Sequence, residues 1–283
     1  MPIKKQRVFL CVDGGRLRQR KNKRGRRAKG SKHCGFHTDW IEPKRFTIYL
    51  IDEQGDIIKK GPPFVDGTTG KLKAFLQLLR HYLTRLGVED AREVVIVGDG
   101  APWIWERIPN LLKQTGVDSQ KITEIIDWTH AKQNLNKAFE TLSKNKIKKI
   151  DFNHFKDLLF SGKITKLVDE VKSLLKVRVT SKVMKKLKSY FVSNEKRMQY
   201  ATSREKNLPI GSGVIESAIR RVINMRVKAP GSFWKLDFAE TVIYLRAQLL
   251  YGRWENLAAN WTKPLIRAFR TIAMTTFITE RST

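Results

Sequence analysis

The sequence predicts a three-layer α/β core on a mixed sheet, interrupted by an α-helical insertion. Three observations carry this. Up to about residue 142, short β-branched and aromatic runs alternate with amphipathic helical stretches, the order of an α/β core. Several of those runs end on an aspartate followed by a turn. From about residue 131 to 200 the pattern turns wholly helical, and a breaker cluster, Asn207-Leu208-Pro209-Ile210-Gly211-Ser212-Gly213, closes that stretch.

The elements follow in order. Residues 7–13 (RVFLCVD) read as a buried strand that turns at Gly14-Gly15. Residues 45–51 (RFTIYLI) alternate and run into Asp52-Glu53-Gln54-Gly55, a hairpin signal, so a third short strand is expected around 56–59. Over 71–86, Leu72, Phe75, Leu76, Leu79, Tyr82, Leu83 and Leu86 recur at helical spacing, with Gly87 as the C-cap. Residues 93–98 (EVVIVG) are nearly all apolar, as a strand buried on both faces requires, and Asp99 follows. A helix over 103–114 and a strand over 122–126 come next, the strand ending at Asp127. In the insertion, Phe152, Phe155, Leu158 and Leu159 form one apolar face, and Leu167, Val171, Leu174 and Leu175 another. A helix over 214–226 pairs Val214, Ala218 and Val222 with Ile215, Ile219 and Ile223, with Glu216 toward the edge of the stripe. A last helix over 236–251 uses Phe238, Val242, Leu245 and Leu249. The chain therefore divides into 1–140, the first part of the core; 141–206, the helical insertion; 207–261, the rest of the core; and 262–283, a weakly patterned tail.

Charge narrows the partners. The 283 residues carry 56 Lys and Arg against 27 Asp and Glu, a net charge of +29, and such an excess selects polyanions. With 41% apolar residues and seven Trp the chain has a core to bury, so disorder is excluded. No apolar run approaches the roughly 18 residues of a membrane span, and two cysteines make no disulfide framework. An intracellular, nucleoid-associated protein is expected. Between residues 16 and 32, ten of seventeen positions are Lys or Arg and none is acidic, which reads as a solvated, mobile arm that touches phosphates. Its candidate DNA contacts are Arg16, Arg18, Arg20, Lys21, Lys23, Arg24, Arg26 and Arg27. The insertion is cationic as well.

Asp13, Asp99 and Glu216 stand where α/β sheets concentrate chemistry, at strand ends and after Gly-rich punctuation. Converging carboxylates repel one another unless divalent cations hold them, and an oxygen-rich set suits Mg²⁺ or Mn²⁺. With a nucleic acid as partner, the matching chemistry is two-metal phosphoryl transfer. The structural alternatives are turn residues for Asp13 and Asp99, and a first-turn acid or an Arg220 partner for Glu216. Asp127-Trp128-Thr129-His130 adds a second constellation, either a helix N-cap with a surface imidazole or a pair that orients a phosphate or a metal-bound group.

The blocks Val12-Asp13-Gly14-Gly15, Gly98-Asp99-Gly100-Ala101-Pro102-Trp103-Ile104-Trp105, Asp127-x-x-His130 and Pro209-Ile210-Gly211-Ser212-Gly213-Val214-Ile215-Glu216-Ser217-Ala218 stand in that order. Arg226-x-Lys228-x-x-Gly231-x-x-Trp234 and Leu245-Arg246-Ala247 continue them. Together they resemble the catalytic domain of DDE-type bacterial insertion-sequence transposases, the Kra-type group in particular, over roughly 7–261. The resemblance implies a ribonuclease-H-like fold and two Mg²⁺ or Mn²⁺ ions. It implies nicking of DNA at the terminal inverted repeats, then strand transfer of the 3′-OH into target DNA. Asp13, Asp99 and Glu216 become the metal-binding catalytic triad, Asp127 and His130 the accessory pair, and Arg226 and Lys228 further DNA contacts. Relatives commonly act as oligomers and carry a segment ahead of the first Asp that recognises element ends. Asp13 lies twelve residues after Met1, so a truncated product or a separately encoded N-terminal fragment is expected. A catalytically inactive DNA-binding remnant is the alternative, and a ribonuclease-H-like nuclease without end specificity the third reading.

Other motifs return less. Gly67-Thr68-Thr69-Gly70-Lys71 fails as a P-loop, with Val65 where Gly is needed and Leu72 where Ser or Thr is needed. His33, Cys34 and His37 lack a fourth zinc ligand. Trp103, Trp105 and Trp128 read as core or wall residues before base-stacking ones.

Overall fold

The computed structural model describes residues 3–23, 25, 27, 29–30, 32, 34–58, 63–143, 151–174, 180–213, 231–250 and 252–259. Its centre is a five-stranded mixed sheet. In chain order its strands are β1 (Arg7–Gly14), β4 (Lys44–Ile51), β5 (Phe64–Thr68), β6 (Glu93–Gly98) and β7 (Ile122–Ile126). Across the sheet they lie β5-β4-β1-β6-β7. β4 is antiparallel to β1 and to β5, whereas β1, β6 and β7 run parallel. The apolar runs read from sequence occupy the middle, and Val8, Leu10, Val12, Val94 and Ile96 are fully buried.

Register assigns the two faces. Val12 opposes Phe46 and Leu10 opposes Ile48, and this face receives α1 (Leu72–Leu86), whose Phe75 meets Phe46 at 6.1 Å. α2 (Pro102–Gln114) joins α1 there, with Trp103 edge-on to Phe75 at 5.6 Å. Gly87 ends α1 in the left-handed region at φ 67°, as its C-cap role requires. On the opposite face Val65 and Leu17 pack against Ala239, Ile243 and Ala247 of α8 (Leu236–Leu250). Helices cover both faces, so the architecture is mixed α/β and compatible with three layers. α8 is tied to β5 through Glu240 Oε2, which accepts from the Thr69 N–H and hydroxyl at 2.6 Å each.

Most of the remaining described residues after β7 are helical. α3 (Trp128–Ser143) runs through the boundary expected at 140, and α4 (Phe152–Phe160), α5 (Ile164–Leu174) and α6 (Thr180–Tyr190) follow. A 3-10 turn (Val192–Arg197) and α7 (Tyr200–Glu205) complete this group. Phe155, Leu158, Leu159, Leu167 and Val171 are buried, as their spacing predicts.

Three expectations are corrected. The full strand beside β4 is β5 at Phe64–Thr68 and not 56–59: the Asp52–Gly55 turn forms, with the Gly55 N–H on the Asp52 carbonyl at 3.2 Å, and among the described residues an Ile51–Ile57 bridge with the Ile58 N–H on the Leu50 carbonyl at 3.0 Å follows it, residue 59 lying outside them. α8 does not bury the stripe with the largest apolar side chains, since Phe238 is 63% and Leu249 54% exposed. Its small Ala239 and Ala247 let the backbone approach β5 closely, and a stripe of bulky residues does not fit that gap. Finally, the basic arm is not a loop throughout. β2 (Leu17–Asn22) pairs antiparallel with β3 (Phe36–Ile41), forming a separate two-stranded hairpin inserted between β1 and β4. Leu17 is buried against α8, which anchors the hairpin's inner face.

Candidate active site

The site grows from one edge of the sheet. The last parallel pairs are Val12 with Gly98 and Gly98 with Ile126, so Asp13, Asp99 and Asp127 are the next residues on three neighbouring strands. Adjacent strands lie about 4.8 Å apart, and three carboxylates therefore leave the sheet side by side. The Asp127 N–H, bonded to the Gly98 carbonyl at 2.8 Å, continues the ladder to that level. Apolar strand interiors with a polar first exit residue produce this row directly.

Asp99 is fixed by its turn. Its Oδ1 accepts the Ala101 N–H at 2.9 Å, and its carbonyl accepts Trp105 Nε1–H at 2.9 Å. Gly100 is required here, because a Cβ would lie 2.1 Å from the Tyr190 ring that covers the turn. Trp105 is 8% exposed, with the Arg197 guanidinium over its ring at 4.9 Å; it is a wall residue, as its sequence context suggests.

Asp13 has a partner that pattern reading missed. Arg45, opposite it in the β1–β4 register, donates from Nη2 to Asp13 Oδ2 at 2.8 Å and to the Gly14 carbonyl at 3.2 Å. The guanidinium is buried, and among the described residues its Nε and Nη1 find no hydrogen-bond partner. Burial raises the Asp13 carboxyl above its ordinary range; Arg45 opposes this and the nearby Asp99 charge adds to it. Burial likewise lowers Arg45, with Asp13 restoring part of its affinity for the proton.

Asp127 plays a different part. It is 1% exposed, its Oδ1 accepts the His130 N–H at 2.9 Å, and its Oδ2 accepts the Ser212 N–H at 2.6 Å. Burial disfavours its charge, but the hydrogen bonds from His130 and Ser212 prevail and hold the carboxyl at about 2. Both oxygens are engaged, so this carboxylate caps α3 and clamps the segment at Ser212. The Trp128 N–H on the Ile210 carbonyl at 2.9 Å makes a second clamp. His130 Nδ1 stands 3.3 Å from Asp127 Oδ1, and Asp127 raises the imidazole's pKa against burial, with Asp13 and Asp99 adding to the effect. An imidazole whose affinity for a proton is raised thus faces the acidic row.

The structure brings Asp13, Asp99, Asp127 and His130 together. Glu216, Arg226, Lys228, Arg24 and Arg26 lie outside the described residues. The described chain reaches Gly213, three positions before Glu216, directly after the Ser212 clamp. Arg16, Arg18, Arg20 and Lys21 lie on or beside β2, with Lys23 and Arg27 beyond it. His33 is outside the described residues, and the Cys34 thiol donates to the Gly25 carbonyl at 3.3 Å. Among the described residues no group of three His, Cys, Asp or Glu is arranged to hold a metal. No helix among them is long and apolar enough to cross a membrane.

Asp13 and Asp99 fit a divalent cation as an incomplete set. Each has one carboxylate oxygen without a hydrogen-bond partner among the described residues, and their mutual repulsion raises Asp13. Comparison with known proteins gives no match: no family model, curated protein or solved structure is significantly similar to this chain.

Proposed function

We propose that the protein is a DDE-type DNA transposase core with a ribonuclease-H-like fold. One observation carries the reading: Asp13 and Asp99 leave adjacent parallel strands at one sheet edge, where Asp127 and Ser212 tether the segment leading to Glu216. The strand order β5-β4-β1-β6-β7, with β4 alone reversed, supports the fold assignment.

In this reading Asp13, Asp99 and Glu216 hold Mg²⁺ or Mn²⁺. Such ions polarise the scissile phosphate and lower the pKa of a bound water. The chain's own groups do the rest. Asp127 fixes the backbone at Ser212, the His130 imidazole, when protonated, offsets the negative charge of the row, and the basic surface positions DNA. Water oxygen attacks phosphorus at the element end and the P–O3′ bond breaks, freeing a 3′-OH. That oxygen then attacks a target phosphodiester, displacing the target's own 3′ oxygen. Element ends and target DNA are the substrates, and a homo-oligomer on DNA pairs the ends.

The buried Arg45–Asp13 pair favours a second reading, a catalytically inactive DNA-binding remnant. A cation already neutralises one carboxylate of the row. Alanine replacement of Asp13, Asp99 and Glu216, one at a time, separates the two readings in a Mg²⁺- or Mn²⁺-dependent cleavage assay on DNA bearing the element ends. The transposase reading requires wild-type cleavage and its loss in each variant. Cleavage retained in all three contradicts it, and metal-independent binding without cleavage selects the remnant.

A further inference from the structure

The hairpin carries more than charge. In the β2–β3 register Arg18 faces Trp40, Arg20 faces Thr38 and Asn22 faces Phe36, so these residues share the outer face. The inner face holds buried Leu17 with Gln19, Lys21, His37, Asp39 and Ile41. Asp39, the single acid between residues 16 and 41, is on that inner face and pairs with Lys21. The outer face therefore carries no acid and is dominated by cationic and aromatic side chains, with Thr38 and Asn22 between them.

Its geometry is specific. The Arg16 and Arg18 guanidiniums each lie 4.9 Å from the Trp40 ring centroid, and Arg20 lies 4.4 Å from that of Phe36. Phe233 joins from a distant part of the chain: the Arg20 N–H donates to the Trp234 carbonyl at 2.7 Å and the Trp234 N–H to the Arg18 carbonyl at 3.2 Å. This places the Phe233 ring 5.5 Å from Phe36. Trp40 is 55%, Phe36 37% and Phe233 36% exposed. None of the three arginines has an ion pair among the described residues.

We propose that this face is a stacking platform for unpaired bases of a DNA strand, with Trp40 at its centre. The proposal rests on the reading above for the identity of the polyanion as DNA. Phosphate attraction alone needs only solvated cations, whereas Trp40, Phe36 and Phe233 keep three rings at the solvent surface beside the guanidiniums. Alternating rings and guanidiniums match a strand that offers both base faces and phosphates. A duplex hides its base faces, so an intact helix uses the arginines and not the rings.

The test uses the full chain in EDTA, with fluorescein-labelled oligothymidylate and a duplex of equal length, read by anisotropy. Trp40→Ala weakens single-strand binding about 5- to 150-fold, the usual cost of removing a base-stacking aromatic, and leaves the salt slope unchanged. Trp40→Lys also weakens it despite the added charge, Trp40→Phe retains most of the affinity, and duplex binding changes little in all three. Arg18→Gln instead lowers the salt slope. A thermal melt by circular dichroism confirms folding, which an exposed Trp40 does not control. Four results overturn the proposal: wild-type affinity in W40A, tighter single-strand binding by W40K, equal losses on duplex and single strand, or tighter binding of oligouridylate than of oligothymidylate. Because EDTA removes the need for cleavage, a failed nicking assay with W40A still defective in binding overturns only the transposase reading, and active nicking with unaltered W40A binding overturns only the platform.

Discussion

Replacing Asp127 by Ala removes the group that joins three parts of the site. Its loss uncaps α3, at about 1 kcal/mol. It also leaves the buried Ser212 N–H, now 2.6 Å from Asp127 Oδ2, without an acceptor, which costs about 1–3 kcal/mol. The variant is therefore destabilised by about 2–4 kcal/mol, read as a lower midpoint in urea with an unchanged slope. The effect depends on pH in a defined direction. The folded carboxyl sits at about 2, below its ordinary 3.8, so its contribution is complete above that ordinary value and fades as pH falls toward 2. The difference, 3.8 − 2 = 1.8, corresponds to about 2 kcal/mol at about 1.4 kcal/mol each. Wild type and Asp127→Ala converge in stability between pH 4 and pH 2 by about that amount. A variant within about 0.5 kcal/mol of wild type at neutral pH, or a gap that does not narrow in acid, refutes the clamp.

Three further outcomes follow from the geometry. Arg45→Met leaves the half-buried Asp13 without its cation and costs about 1–3 kcal/mol in urea unfolding, and adding Asp13→Asn recovers part of the loss, which a double-mutant cycle measures. Gly100→Ala pushes a methyl into the Tyr190 ring, so a loss of about 1–3 kcal/mol is expected in thermal unfolding. The His130 pKa is raised in the fold, so its stabilisation is full below pH 6.5 and disappears as pH climbs through the folded value. NMR titration of its ring protons in wild type gives a midpoint above 6.5, and Asp127→Asn brings that midpoint down.

Much of the sheet was readable because its signals are local. The runs 7–13, 93–98 and 122–126 fall on β1, β6 and β7, and Gly87 caps α1 as its sequence demands. Asp13 and Asp99 were legible for the same reason, since a carboxylate ending an apolar run marks a strand exit. The hairpin is hard to read because six cations within 16–24 mask the alternation of Leu17, Gln19 and Lys21. Pairing with β3, where Phe36, Thr38 and Trp40 alternate, is a non-local gain that charge counting does not reveal. Arg45 was hidden in an apolar strand, although antiparallel pairing of 7–13 with 45–51 would have set it opposite Asp13. The buried face of α8 is not the Phe238, Val242, Leu245 and Leu249 stripe, because close approach to β5 selects alanine there. Tyr190 and Ser212 reach the site only through tertiary packing, which no spacing in the chain encodes.

The central claim is that Asp13, Asp99 and Glu216 act as one unit on a phosphodiester. Rates of Mn²⁺-dependent nicking of element-end DNA, measured for the three single alanine variants and the triple variant, test it most directly. Residues that hold shared ions are non-additive, so each single variant is predicted to fall to the same floor as the triple. Independent, additive losses, or an E216A variant that nicks at the wild-type rate, would contradict it.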